Sequence, residues 1–248
     1  MDNYKNILDQ HDLTIWLDLS TYCNASCPQC HRTNANGLDK VYWLPLVQWS
    51  IGDFQKAFPI SSMAKIKKFD MCGTWGDPMM NKDIYEIIEY IISNSICDIV
   101  IHTNGSMRDD DFWWNVGVLC GKRLTVQFTI DGITEQQHAM YRQKTSLAKT
   151  LSHMATLSST NAIAGVYSVI FKHNEDDLQA IAKLSKEHGA RYITFVPSNR
   201  FHQDLNWYNT FKFMDVDGVD QELTRSKMKK WLSGPLDNTF IESLSNVL

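Results

Sequence analysis

The feature that most restricts this chain is a repeated exchange between two apolar periods, two residues and about 3.6 residues, along its first four-fifths or so. Residues 13–20 set Leu13, Ile15, Leu17 and Leu19 against Thr14, Trp16, Asp18 and Ser20, which is a strand pattern. Ser50 opens a helical stretch carrying Ile51, Phe54, Ala57 and Phe58 that stops at Pro59. Residues 65–72 read as a second strand. Asn81 is expected to cap a helix with Ile84, Ile87, Ile88, Ile91 and Ile92 on one face. A third strand spans 98–103, and Asp109, Asp110 and Asp111 then suit the positive end of a helix that Gly121 stops. The fourth strand, 124–130, puts Leu124, Val126, Phe128 and Ile130 on one face and Thr125, Gln127, Thr129 and Asp131 on the other. A helix through Leu147, Leu151, Met154 and Leu157 leads to strand 163–171; Asn174 is expected to cap a helix ending at Gly189, and 191–196 is the sixth strand.

Six strand–helix units in series predict an α/β fold, a partial (βα)6 TIM-like barrel of parallel strands. Residues 198–248 show no clear strand, and 201–248 are set apart as a C-terminal cap or extension. That segment is expected to form a short C-terminal helical cap on a core of residues 1–200.

Composition narrows the classes of function. A chain of 248 residues with 44% hydrophobic character can bury a substantial core, and 24 basic against 28 acidic side chains give no global basic field for nucleic acid. No run approaches the ~20 apolar residues of a membrane span, since Tyr85, Glu86, Glu89 and Tyr90 interrupt 84–92. The first twelve residues lack a basic start followed by an apolar stretch, so a reducing, cytoplasmic setting is expected.

In that setting the cysteines at 23, 27, 30, 72, 97 and 120 read as chemistry before disulfides. Cys23, Cys27 and Cys30 form CNASCPQC on the loop after strand one, the end of a parallel barrel where sites are built. Three thiolates in one loop can hold three corners of an iron–sulfur cluster and leave a fourth iron open. A zinc site is the alternative. It needs a fourth ligand, and His31, directly after Cys30, is poorly placed to close the tetrahedron. No cysteine follows 120, so the tail offers no ligands of that kind for a second cluster. Cys97 and Cys120 read as structural, Cys72 as packing beside the second motif, and His102 as a satisfied interior histidine.

This pattern resembles the radical S-adenosylmethionine (SAM) superfamily, whose hallmark is C-x3-C-x-aromatic-C after the first strand of a partial barrel. The run Cys72-Gly73-Thr74-Trp75-Gly76-Asp77-Pro78 after strand two looks like that family's Gly-Gly-Glu-Pro motif. Strand three ends in Thr103-Asn104-Gly105, and strand four in Thr129-Ile130-Asp131-Gly132 with His138 and Arg142 following, similar to the pattern of the SPASM and twitch branch. There are departures. Gln29 stands where the family carries an aromatic ring, and Trp75 and Asp77 replace a Gly and a Glu.

The resemblance implies a [4Fe-4S] cluster on Cys23, Cys27 and Cys30, with SAM contacts from Gly73, Trp75, Gly76, Asp77, Pro78, Asn104, Thr129, Asp131 and Arg142. It further implies reductive cleavage of SAM to a 5′-deoxyadenosyl radical, hydrogen abstraction from a peptide or small-molecule substrate, and an external electron donor such as flavodoxin or ferredoxin. An activating enzyme for a glycyl-radical partner, and a non-enzymatic zinc or iron–sulfur module, remain open alternatives. The residue that quenches a substrate radical is unassigned.

Overall fold

The computed structural model describes residues 13–203 and 206–247; the opening residues on which the leader reading rests lie outside them. Six strands, β1 (Leu13–Trp16), β2 (Ile66–Met71), β3 (Asp98–Thr103), β4 (Leu124–Thr129), β5 (Ile163–Ile170) and β6 (Tyr192–Pro197), pair in parallel in chain order. Between them run α1 (Ile51–Ala57), α2 (Ile84–Asn94), α3 (Asp110–Cys120), α4 (Leu147–Ser158) and α5 (Leu178–Glu187). Parallel neighbours need crossovers of this length, which is why the alternation in the sequence translates into this sheet. The expected partial barrel is therefore present, with β1 at one edge.

Local chemistry explains most boundaries. Ser50 and Asp53 form a reciprocal capping box at α1, and Asp109 accepts from the Phe112 N–H at α3. Ile84, Ile87, Ile88 and Ile91 are fully buried on one face of α2. Each such burial contributes about 1.5–3 kcal/mol. They meet Phe54, Phe69, Ile99, Ile101, Trp113 and Phe128 in the main core between sheet and helices.

Two caps differ from expectation. Asp83, not Asn81, precedes α2; the wholly buried Asn81 side chain donates to Leu19 O and Trp49 O, tying the loop after β1 to the start of α1, and its oxygen accepts from the Asp83 N–H at 2.8 Å. Asn174 likewise spends its amide on Asp131 O and Val169 O and accepts from Phe171 N–H, while Glu175–Asp177 form a 3-10 turn before α5. In both cases the side-chain oxygen that a cap needs is taken by another N–H, that of Asp83 for Asn81 and that of Phe171 for Asn174. β1 is also shorter than its alternation: Leu17 N–H still donates to Asp70 O of β2, and Ser20 then bridges to Gln48 instead.

The tail contains the expected helix, α6 (Asn238–Ser243), packed on α5, but strands precede it. β7 (Thr210–Met214) and β8 (Asp220–Thr224) form a hairpin, and β9 (Leu232–Pro235) pairs antiparallel with β6 to make a seventh strand. The hairpin is mostly exposed apart from Phe213 and Leu223, so it shows little alternation to read. Those two side chains join Ala25, Cys27, Tyr141 and Phe171 in a second apolar cluster, which lays the hairpin over the cysteine loop. Among the described residues no helix is long and apolar enough to cross a membrane.

Candidate functional site

The alternation of β4 decides where a site can lie. Leu124, Val126 and Phe128 are wholly buried in the core, so Gln127 and Thr129 point to the opposite side. There they line a cavity of about 450 Å³ at the C-terminal ends of the strands, together with Cys27, Cys30, His102 and Arg142. The size is ordinary for a small-molecule site, about 300–1,000 Å³. The Thr129 hydroxyl is buried without a hydrogen-bond partner, an uncommon state for a buried polar atom.

The cysteine loop between β1 and α1 is fixed from several directions. Ser26 N–H donates to Gln143 O, and Cys30 N–H closes a turn on Cys27 O at 3.0 Å. The Asn24 side chain donates to Ser106 and accepts from Asn104. Gln29, at the place of the family's aromatic residue, is buried: its amide donates to Arg200 O and accepts from Ser198. It fastens the loop to the segment after β6. Burial pushes the Cys27 thiol up to about 11 and the Cys23 thiol higher still, against the lowering field of Arg142 at Cys27 and of Arg32 at Cys23.

Three thiols carried by one sheltered loop are the soft donor set that an iron–sulfur cluster takes. Zinc with four tetrahedral ligands needs sulfurs that converge on one point about 2.3 Å from each. A cluster takes one thiolate per iron and needs them spread, with soft sulfur donors and shelter from water. Cys27 and Cys30 face one cavity, and Cys23, Cys27 and Cys30 stand close enough for each to perturb the next.

The second motif builds the wall from behind. Only Gly73 and Thr74 of it line the cavity. A Cβ on Gly76 would meet Ser20 O at 2.1 Å and Tyr22 O at 2.6 Å, so glycine lets this turn lie against the start of the cysteine loop. Asp77, expected to meet SAM, is turned inward: its carboxylate accepts from Met79 N, Thr103 Oγ1, Asn104 N and Asn104 Nδ2 at 2.6–3.0 Å. Since Asn104 also reaches Asn24, one buried carboxylate links the ends of β2 and β3 to the cysteine loop. Trp75 packs edge-on against Trp43, and Pro78 starts the 3-10 turn that Asp77 caps.

Beyond β4, Asp131 is fully buried and pairs with Arg142 Nε at 2.5 Å while accepting from Val169 N–H. Burial opposes the Arg142 charge, but Asp131 and the Cys27 sulfur more than offset it and hold its pKa up. His138, buried beside them, accepts from the Asp131 N–H. Of the residues expected at the cofactors, Cys27, Cys30, Gly73, Thr129 and Arg142 thus reach the cavity wall. Trp75, Gly76, Asp77, Pro78, Asn104 and Asp131 lie outside it and hold it in shape, and Cys23 is half-buried on the same loop.

Sequence reasoning missed Asp18, whose carboxylate accepts from the Thr74 N–H at 2.9 Å. Its outward place in the strand-one alternation was the one available signal. His102 is both paired, 3.0 Å from Asp70, and open to the cavity. Cys97 is buried in the core with its thiol donating to Ile66 O, and Cys120 is buried near the end of α3, as expected of structural cysteines.

No family model matches the chain. The structure is similar to anSMEcpe solved with bound AdoMet (TM-score 0.58, 14% identity, 75% of this chain and 51% of that one). It is also similar to Streptococcus suis SuiB bound to the precursor peptide SuiA (TM-score 0.57, 12% identity, 76% and 41%). The chain shares the fold of these two proteins, a partial barrel of parallel strands with crossover helices. Within 109 residues it is 30% identical to a probable GTP 3′,8-cyclase of Methanothermobacter marburgensis, covering 44% of this chain and 32% of that protein. A protein of the same description from Methanocaldococcus jannaschii is 32% identical over 94 residues, 38% of this chain and 29% of its own length. The matched stretch spans about a third of those relatives. The likeness to the SPASM and twitch branch rests on the strand-four motif alone.

Proposed function

We propose that this chain is a radical SAM enzyme, with Cys23, Cys27 and Cys30 as thiolate ligands of a [4Fe-4S] cluster and SAM in the adjoining cavity. The observation that carries the reading is the meeting, on one cavity wall, of Cys27, Cys30, the Arg142 guanidinium and the unpartnered Thr129 hydroxyl. When bound, cluster and SAM supply reductive formation of a 5′-deoxyadenosyl radical that takes a hydrogen atom from the substrate.

The chain's own residues do the positioning. The raised thiol pKa values mean that metal loading displaces protons, and Arg142 eases that displacement at Cys27. A carboxylate such as that of SAM finds a cationic partner in Arg142 and a hydroxyl donor in Thr129. Gly73 lines the same wall, and its missing side chain lets the turn close, since a Cβ there would meet Gly76 O at 2.8 Å. The peptide-bound neighbour and the cyclase relatives support a peptide or small-molecule substrate, and an external donor such as flavodoxin or ferredoxin delivers the electron in this reading.

Anaerobic reconstitution tests it. Four irons per chain and 5′-deoxyadenosine release from SAM on reduction are expected. Replacing Cys23, Cys27 and Cys30 by Ala abolishes iron loading, while Ala at Cys97 and Cys120 leaves it intact. Stoichiometric zinc with no SAM cleavage overturns the proposal in favour of a binding module, and a tight complex with one large protein carrying a glycyl radical redirects it to an activating enzyme.

A further inference from the structure

An arginine offers five N–H donors in a fixed plane. In Arg142 the Nε–H goes to Asp131 Oδ2 and Nη1 lies 3.7 Å from Cys27 Sγ, within reach of a hydrogen bond to sulfur. The carboxylate that holds it is itself fixed, since Asp131 is 0% exposed and its other oxygen accepts the Val169 N–H at 2.6 Å. The guanidinium also sits 4.9 Å above the Tyr141 ring, and only 14% of the Arg142 side chain is exposed. Carboxylate, ring and thiol therefore fix the plane from three directions.

Resting on the cluster reading above, we infer that Arg142, held in place by Asp131, sets the reduction potential of the iron–sulfur cluster by donating a hydrogen bond to the Cys27 ligand sulfur. Reduction adds one electron, and hence one negative charge, to a buried group. A cationic donor on a ligand sulfur stabilises that added charge, and cluster potentials respond to net charge, burial and hydrogen bonds to sulfur. The low dielectric around Asp131 and Cys27 strengthens the effect. Because Nε and Nη1 are turned to Asp131 and Cys27, the second terminal nitrogen stays available to an anionic ligand in the cavity. Arg142 is thus a positioning and tuning residue for the cluster in addition to its proposed contact with SAM.

The test is a dithionite titration of the reconstituted chain without SAM, with the reduced cluster followed by electron paramagnetic resonance. Arg142→Gln is expected to make reduction at least tenfold less favourable, a fall of about 59 mV for a one-electron couple. Arg142→Lys keeps the charge, loses the planar fork and gives a smaller fall. Arg200→Gln removes a cation from the same cavity that donates to Gln29 O, and shifts the potential less than Arg142→Gln. An unchanged potential in Arg142→Gln overturns the inference, as does an equal shift in Arg200→Gln, which marks a bulk charge effect. If Arg142→Gln fails to load iron, Arg142→Lys decides by the same comparison with wild type. A wild-type chain that assembles no four-iron cluster overturns the underlying functional reading instead, and iron and sulfide analysis detects that before any titration.

Discussion

His138 lies under the loop that carries Asp131, and its state is fixed by geometry. It is fully buried, its Nδ1 accepts the Asp131 N–H at 3.2 Å, and its Nε2 is 3.1 Å from Thr145 Oγ1. A ring nitrogen that accepts is unprotonated, so the native ring is neutral. Burial, the largest cause, lowers its pKa to about 4; Asp131 and Glu135 oppose this and Arg142 adds to it. The unfolded histidine titrates near 6.5, so between about 4 and about 6.5 the unfolded chain binds more protons than the native one. Stability from this group is fully present above that window and is lost as pH falls through it. Going from about pH 7.5 to about pH 5, the linkage relation gives a loss of about 2 kcal/mol. Urea denaturation of the metal-free protein, followed by circular dichroism at both pH values, measures it. Other groups titrate in the same range, so the quantity of interest is the difference between wild type and His138→Asn, which removes this titration alone. Packing defects in the variant appear at both pH values and cancel. If the two proteins lose stability in parallel, the buried neutral histidine is not the source and the reasoning fails.

Asp77→Ala strips the acceptor from four buried donor groups at about 1–3 kcal/mol each before relaxation, so a net loss of about 3–5 kcal/mol is expected in the same denaturation assay. A loss below about 1 kcal/mol would show that water replaces the carboxylate freely. Gly76→Ala forces a methyl onto Ser20 O and displaces the cysteine loop; iron loading should drop sharply, and full loading would contradict the close contact. Thr129→Val removes an unpartnered buried hydroxyl, so the free protein should keep or slightly gain stability while SAM affinity, read by calorimetric titration of the reconstituted protein, falls about tenfold or more. Unchanged affinity would remove Thr129 from the proposed SAM contacts.

The sequence by itself determined the layers and the place of the site. Strict alternation in β4 can be satisfied only with one face in a core, so Gln127 and Thr129 had to line something polar or wet. A three-cysteine run after strand one had to sit at the C-terminal end of the sheet, because parallel strands joined by crossover helices put every such loop at that end. The helix cap at Ser50 was legible for the same reason, its partner being three residues away, and the Asp109–Asp111 run marked the start of α3, where the structure makes Asp109 the cap.

Tertiary structure decided which motif residues reach the cavity and which hold its wall. Asp77 and Asp131 look alike in sequence, acidic residues in turns after strands. Each is turned inward because buried N–H donors from other strand ends, Asn104 for one and Val169 for the other, outcompete a ligand for the carboxylate. Asn81 and Asn174 give their amide N–H groups to carbonyls far away in sequence, contacts that no local spacing announces. The hairpin over the cysteine loop and the added strand β9 were invisible because their stability comes from a few long-range contacts, Phe213, Leu223 and the edge of β6, rather than from any period of their own. Local spacing encodes local hydrogen bonds and faces. Contacts between residues far apart in sequence exist only once the sheet has brought the strand ends together.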